Sequence, residues 1–248
     1  MIGMNWNRNT PWVFAHRGAS GEAPENTLAS FRQAILQQCD VIELDIHLTS
    51  DGHVVVCHDE TLDRTTDRSG AIAELTLEEI RRADAGSWFD PAFAGERIPL
   101  LQEVLELVPA EIGLNIELKM SCGGRLEEAA IKLLRENGRL ASVLFSSYDH
   151  KLLHRIKQQA PEARISLVYD FKPLHPLSLI RDFGLDFGLD VFAVSLYHGM
   201  VEQEDVEAIR KHGKHVIVWT VNQEPAMRRM LDCGVSGIIT DHPALLKS

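Results

Sequence analysis

Two histidines sit beside charged neighbours, in His16-Arg17 and His58-Asp59, while Glu43-Leu44-Asp45 and Glu117-Leu118-Lys119 each hold two ionisable groups two residues apart. In an extended strand that spacing puts both groups on one face. Glu43 and Asp45 then point away from Ile42, Leu44 and Ile46, and Glu117 and Lys119 away from Ile116 and Leu118. Carboxylates turned into a barrel lumen are costly unless something pairs them. Three of them converging, Glu43, Asp45 and Glu117, make a site for a hard divalent cation with oxygen ligands. Arg17 and Lys119 supply fixed positive charge suited to phosphate oxygens. His16 and His58 form a proton-transfer pair near neutral pH. The competing reading is a buried ionic network with two structural histidines. Against it, such groups recur at several strand ends and not at one.

The elements that must position these groups alternate almost from end to end. Strand patterns fall at 12–15, 41–46, 113–118, 142–145, 165–169, 191–195, 215–221 and 237–240. Helical patterns follow at 27–38, 100–108, 125–137, 150–159, 176–183, 202–212, 225–232 and 243–247. In the first of these, Leu28, Phe31, Ile35 and Leu36 share one face of a 3.6-residue period. Gly138, Gly213 and Gly234 stop three helices. Repeated strand–helix units predict an α/β protein, a (β/α)8 TIM barrel, whose reactive groups lie at the C-terminal strand ends.

One strand breaks the alternation. Residues 54–58 follow the second strand after Thr49-Ser50-Asp51-Gly52-His53, too short for a parallel crossover. Asp51-Gly52 is a hairpin signal, so the segment reads as an antiparallel flap with Asp45 opposite His58. Residues 59–99 then form an insertion expected over the barrel mouth, containing a short helix at 76–83 capped by Thr76 and Glu79. Its stretch 86–99 suits a lid or a substrate wall, and Trp88 and Phe89 read as a small core of its own. Trp219 is either core packing or an exposed ring forming an apolar wall, and Asp241 reads as the cap of the last helix. His47, His53, His150, His154 and the later histidines read as surface residues.

Length and composition agree with a single domain over 1–248. The formal charge of −11 from 25 basic and 36 acidic residues argues against nucleic acid or anionic membrane as partners. Cys39, Cys57, Cys122 and Cys233 are scattered, without metal-site or disulfide spacing, and no stretch has signal-peptide or membrane-span character. The expectation is a cytoplasmic protein acting on a small molecule, of open oligomeric state.

His16-Arg17-Gly18, Ala23-Pro24-Glu25-Asn26-Thr27, Glu43-Leu44-Asp45, Asp51-Gly52 and His58-Asp59 resemble the N-terminal signature of the glycerophosphodiester phosphodiesterases. Glu117-Leu118-Lys119 and Trp219-Thr220-Val221-Asn222 match later motifs of that family, and the likeness spans nearly the whole chain. Cys39 departs from it, standing where the family often has glycine. The resemblance implies a barrel with an insertion after the second strand, hydrolysing glycerophosphodiesters to glycerol 3-phosphate and an alcohol. It implies that Glu43, Asp45 and Glu117 bind one Mg2+ or Ca2+, that Arg17 and Lys119 bind phosphate, and that His16 and His58 serve as base and acid, with Trp219 against the substrate. A lysophospholipase D-like enzyme and a non-catalytic phosphodiester-binding barrel are the alternatives. A Schiff-base role for Lys119 is disfavoured, because neighbouring carboxylates would hold the amine charged.

Overall fold

The structure, a computed structural model, describes residues 4–170 and 190–247. The helix expected at 176–183 lies outside the described residues. The strands are β1 (Trp12–Ala15), β2 (Val41–Leu48), β3 (Val54–Val56), β4 (Gly113–Leu118), β5 (Val143–Ser147), β6 (Arg164–Tyr169), β7 (Ala193–Tyr197), β8 (His215–Trp219) and β9 (Gly237–Thr240). All except β3 pair in parallel in the order β1-β9-β8-β7-β6-β5-β4-β2, and β2 pairs back onto β1. The barrel is therefore closed, a (β/α)8 architecture. The described helices are α1 (Leu28–Leu36), α2 (Leu77–Ile80), α3 (Leu101–Leu107), α4 (Arg125–Glu136), α5 (His150–Gln159), α6 (Gln203–Lys211) and α7 (Glu224–Asp232). The last segment, Pro243–Leu246, is a 3-10 turn.

Strand parity builds two separate cores. Outward residues, among them Ile42, Leu44, Ile116, Phe145, Leu167, Val194 and Val218, pack against the helices. Inward residues Trp12, Phe14, Val41, Leu144, Ala193, Ile217 and Ile239 fill the N-terminal half of the lumen. Trp6 closes that end from below, edge-on to Trp12 at 5.5 Å and to Phe192 at 5.7 Å between ring centroids. A Cβ at Gly113 would sit tightly against it, 3.1 Å from the Trp6 ring. Arg8 clamps this arm through paired bonds of 2.6 and 2.5 Å to Asp40. With its lower half filled, the lumen opens at the C-terminal strand ends.

The flap is antiparallel to β2 as expected, but its register is one residue different. Ile46 faces Val56 and Leu48 faces Val54, so Asp45 lies opposite Cys57, whose amide donates to the Asp45 carbonyl at 3.0 Å. The cause is the turn. Thr49 accepts the Gly52 amide and donates its own amide to His53, closing a three-residue loop with Gly52 at φ 87°. A two-residue turn centred on Asp51-Gly52 would have given the other register. His58 thus lies beyond the paired strand.

The insertion has a core of its own around Val55, Cys57, Leu62, Ile72, Ile80 and Ile98. Its helix α2 carries the expected Thr76–Glu79 capping box. Trp88 and Phe89 do not belong to that core: they are 41% and 36% exposed, meeting each other edge-on at 5.8 Å, as Phe89 also meets Phe93.

Candidate active site

The inward parity that buries Trp12, Phe14 and Val41 continues upward into polar residues. His16 lies two residues past Phe14, Glu43 and Asp45 two and four past Val41, and Glu117 four past Gly113. Aligned register keeps them level, with Asp45 beside Glu117 and Glu117 beside Ser146. The result is a cleft of about 180 Å³ whose walls include His16, Arg17, Glu43, His58, Glu117, Lys119 and Trp219.

Glu43, Asp45 and Glu117 each turn a carboxylate oxygen to within 4.8 Å of the others. Two cations share this triad. Lys119 Nζ donates to Asp45 at 2.9 Å and to Glu117 at 2.5 Å, while Arg17 Nε stands 3.5 Å from Asp45. Asp45 also accepts from Asn26 Nδ2 at 2.8 Å. Burial pushes every one of these carboxyls up, but the outcome differs. Lys119 and Arg17 overcome burial at Asp45 and hold it well below the usual carboxylate range. Glu43, buried and facing both Asp45 and Glu117, is raised well above its ordinary value, and Glu117 is raised mainly by burial. At Lys119 burial is outweighed by Asp45 and Glu117, so the ammonium stays protonated. That removes the Schiff-base alternative, which needs a neutral amine.

Arg17 is held by an unusual backbone. It sits at φ 55°, which is strained for a side chain of its size, and so points its amide at Glu43 Oε2, 2.9 Å away. Gly18 follows at φ 86°, pressed against α1, where a Cβ would come within 2.4 Å of Ser30 Oγ. The Arg17 guanidinium donates to Glu25 at 2.8 Å. Glu25 in turn accepts two bonds from Arg64 of the insertion, at 2.9 and 2.8 Å. Arg64 also donates to Asp59 at 2.7 Å.

Each histidine has an aspartate behind it. His16 Nδ1 lies 2.6 Å from Asp241 and His58 Nδ1 lies 2.6 Å from Asp59. Asp241 is not the helix cap expected from sequence; no side chain caps that final turn. Its carboxylate instead accepts from Ser20 at 3.0 Å and from Asn222 at 2.5 Å. Burial would raise it, yet the bonds with His16, Ser20 and Asn222 bring it down to about 2. His58 is lowered, chiefly by burial, with Lys119 and Arg17 adding to the effect against Asp45. His47, expected at the surface, is buried, with its ring 3.2 Å from the His58 carbonyl. His150 and His215 are also partly covered, against Tyr169 at 4.8 Å and Trp12 at 5.0 Å.

Every site residue expected from sequence therefore reaches one cleft or the carboxylate cluster beside it. Trp219 lines the cleft, flanked by Tyr148 at 5.9 Å and Tyr197 at 5.8 Å. The sequence reading took Asp241 for a cap, gave Asn222 no role beyond its motif, and missed Arg64 and the two tyrosines. The tyrosines were findable: Tyr148 and Tyr197 stand two residues past Ser146 and Ser195 on strands of known parity.

Two cations among carboxylates close enough to share a metal ion, with a histidine on either flank, give this barrel the groups that a hydrolase of phosphoric diesters needs. Residues 16–245 match the model of the glycerophosphoryl diester phosphodiesterase family, and the chain belongs to that family. A glycerophosphodiester phosphodiesterase of Caldanaerobacter subterraneus subsp. tengcongensis is 40% identical over 94% of this chain and 95% of its own. One from Bacillus subtilis is 35% identical over 93% of this chain and 83% of its own. Among solved structures, an Oleispira antarctica phosphodiesterase in complex with the product sn-glycerol-3-phosphate is 32% identical. It superposes with a TM-score of 0.87, covering 96% of this chain and 97% of that one. The glycerophosphodiester phosphodiesterase of Agrobacterium tumefaciens is also 32% identical, with a TM-score of 0.83 and coverage of 95% and 98%.

Proposed function

We propose that this protein hydrolyses glycerophosphodiesters to glycerol 3-phosphate and an alcohol, using one divalent cation and the His16–His58 pair. The observation that carries the proposal is the excess of buried negative charge at the triad. Three carboxylates within 4.8 Å of one another are answered by the two cations Arg17 and Lys119, and Glu43 is raised well above its ordinary value by burial and by Asp45 and Glu117. A dication would relieve that repulsion. The all-oxygen donor set of Glu43, Asp45 and Glu117 suits Mg2+ or Ca2+. When bound, it would polarise a phosphoryl oxygen and neutralise charge growing in the transition state.

The rest of the chemistry belongs to side chains. Arg17 and Lys119 bind the non-bridging oxygens and orient the phosphorus. With Nδ1–H held by Asp241, His16 presents Nε2 as a base, which takes the proton of the glycerol 2-hydroxyl as that oxygen attacks phosphorus. His58 gives a proton to the departing alcohol oxygen, so that bond breaks without releasing an alkoxide. Water then opens the cyclic phosphate. The competing route has water attack directly; trapping a glycerol 1,2-cyclic phosphate supports the first route over the second.

The Oleispira antarctica relative supports the product assignment, since it was solved with sn-glycerol-3-phosphate. We take 1–248 as one catalytic domain, with 59–99 as an insertion at the mouth tied in by Arg64. Cytoplasmic location is proposed from four free cysteines; burial raises the Cys39 and Cys57 thiols to about 12, so they are inert packing residues. No helix among the described residues is long and apolar enough to cross a membrane. The exposed Trp88 and Phe89 would favour a lysophospholipase D-like reading, but no residue of 86–99 is among those lining the cleft. The test is release of glycerol 3-phosphate from glycerophosphocholine, with Mg2+ or Ca2+ and with chelator. Release that survives exhaustive chelation overturns the metal assignment; no release under any condition overturns the function.

A further inference from the structure

At the N-terminal strand ends, opposite the cleft, lies a second cavity of about 200 Å³, bounded by Arg8, Pro11, Arg210, Lys214, His215 and Ser236 among others. None of the residues lining it is acidic, although the chain has 36 acidic residues against 25 basic ones. Three separate segments meet there: the arm before β1, the end of α6 with its loop into β8, and the residues just before β9. Hydrogen bonds close them into one rim. Arg8 Nη2 donates to the Pro11 carbonyl at 2.6 Å, and the next amide, that of Trp12, donates to the Ser236 carbonyl at 2.9 Å. Ser236 Oγ lies 3.2 Å from His215 Nδ1. Arg210 Nη1 donates to the carbonyl of Gly234 at 2.8 Å, two residues before Ser236.

The charge of this rim is not cancelled from within. Arg210 bonds to a carbonyl, which leaves its charge whole. Lys214 meets Asp190 at 2.8 Å, but that carboxylate is 84% exposed, where an ion pair counts for little. Arg8 is matched by Asp40, which Lys247 also approaches at 3.1 Å, so two cations share one carboxylate. His215 registers the excess: burial lowers it, and Arg210 and Lys214 add to the effect. The C-terminal dipole of α6 accounts for Arg210 and Lys211 in its last turn. It does not account for cations brought from the arm and the β8 loop to the same cavity. Like charges held together repel, and a bound anion removes that cost.

We infer that this cavity is an anion site that takes a phosphate group, either free or as the end of a small monoester. Guanidinium N–H groups, an ammonium and a hydroxyl match the oxygens of such an ion. The volume lies below the roughly 300 Å³ at which pockets take drug-sized ligands, so the ligand is small. The site is separate from the catalytic cleft. His215 and Trp219 are the two ends of β8, about 13 Å apart along the strand, and the filled half of the lumen lies between them. A phosphate held there would join the arm to the barrel and so fix Trp6 in the floor.

Calorimetric titration with inorganic phosphate tests this, with and without chelator. Phosphate should bind with a Kd of about 1 mM or tighter. Chelator should leave that affinity unchanged, since the cavity holds no part of the carboxylate triad. Arg210→Ala should weaken binding about 10-fold or more, the worth of one charge-assisted bond, and Lys214→Glu should abolish it. Tm in phosphate-free buffer checks that each variant is folded. Methyl phosphate then distinguishes the sources: equal affinity points to a monoester, and loss of binding to the free ion. Absence of saturable binding, or wild-type affinity in both variants, overturns the site. Binding that disappears with chelator would belong to the cleft and overturns it as well. The titration needs no turnover, so its result stands apart from the hydrolase reading.

Discussion

His16 and His58 have the same partner type at the same 2.6 Å, but their surroundings differ. Asp241 receives only neutral donors besides His16, from Ser20 and Asn222. Asp59 shares its charge with Arg64. In the proposed roles Asp241 would orient His16 as the base through its Nδ1 contact, and Asp59, shared with Arg64, would orient His58 as the acid. Asp241→Asn should lower kcat for glycerophosphocholine by about 10²-fold or more by presenting the wrong tautomer, with the fold retained by circular dichroism; wild-type turnover would refute the assignment. His58→Ala should lose about 10²–10⁴-fold with glycerophosphocholine, whose alkoxide leaves poorly unaided. It should lose much less with a nitrophenyl ester of glycerol phosphate. Equal losses on the two substrates would refute the general-acid role. The main site residues were legible in the sequence because each occurs in a short motif at a strand end, where two-residue spacing alone gives direction. Asp241 was not legible, since its bond to His16 spans 225 positions and exists only because β9 closes the barrel against β1.

At the scale of elements, the strand–helix order could be read from periodicity, and β4 and α5 agree with it to the residue. The flap register could not, because it depends on whether Asp51-Gly52 makes a two- or three-residue turn, a local choice that shifts every pairing by one. Nor could the partners of the insertion. Arg64 bridges Glu25 of the first loop and Asp59 of the flap, so one guanidinium ties together the elements carrying Arg17 and His58. Arg64→Ala should lower kcat for glycerophosphocholine about 10-fold while shifting Tm by only a few degrees, since the side chain is 44% exposed. Arg64→Lys should not restore the rate, because an ammonium cannot make these forked bonds to two carboxylates at once. Rescue by lysine would show that charge alone matters there.

For the whole molecule, the raised Glu43 and Glu117 carboxyls couple the fold to pH, and to the proposed cation if they hold it. A carboxyl whose folded pKa lies above its unfolded value stabilises the fold below the unfolded value, and that contribution is lost as pH rises through the folded one. The cation-free protein should therefore lose stability from about pH 5 upward, measured as Tm. A cation bound by those carboxylates should raise Tm by about 5–10 °C at pH 8 at a hundredfold excess over its Kd there, and by less at pH 5 at the same concentration. An equal shift at both values would separate the metal from these carboxyls. The floor of Trp6, Trp12 and Phe14 has a further consequence. It makes the reaction chamber a dead end, so whatever enters last must depart first. In the proposed reaction the phosphate-bearing product, held by Arg17 and Lys119, would leave after the alcohol and keep the chamber blocked until it too escapes. Glycerol 3-phosphate should therefore compete with substrate in steady-state inhibition while choline barely does, and the protein's pace would follow how fast its surroundings draw that fragment away.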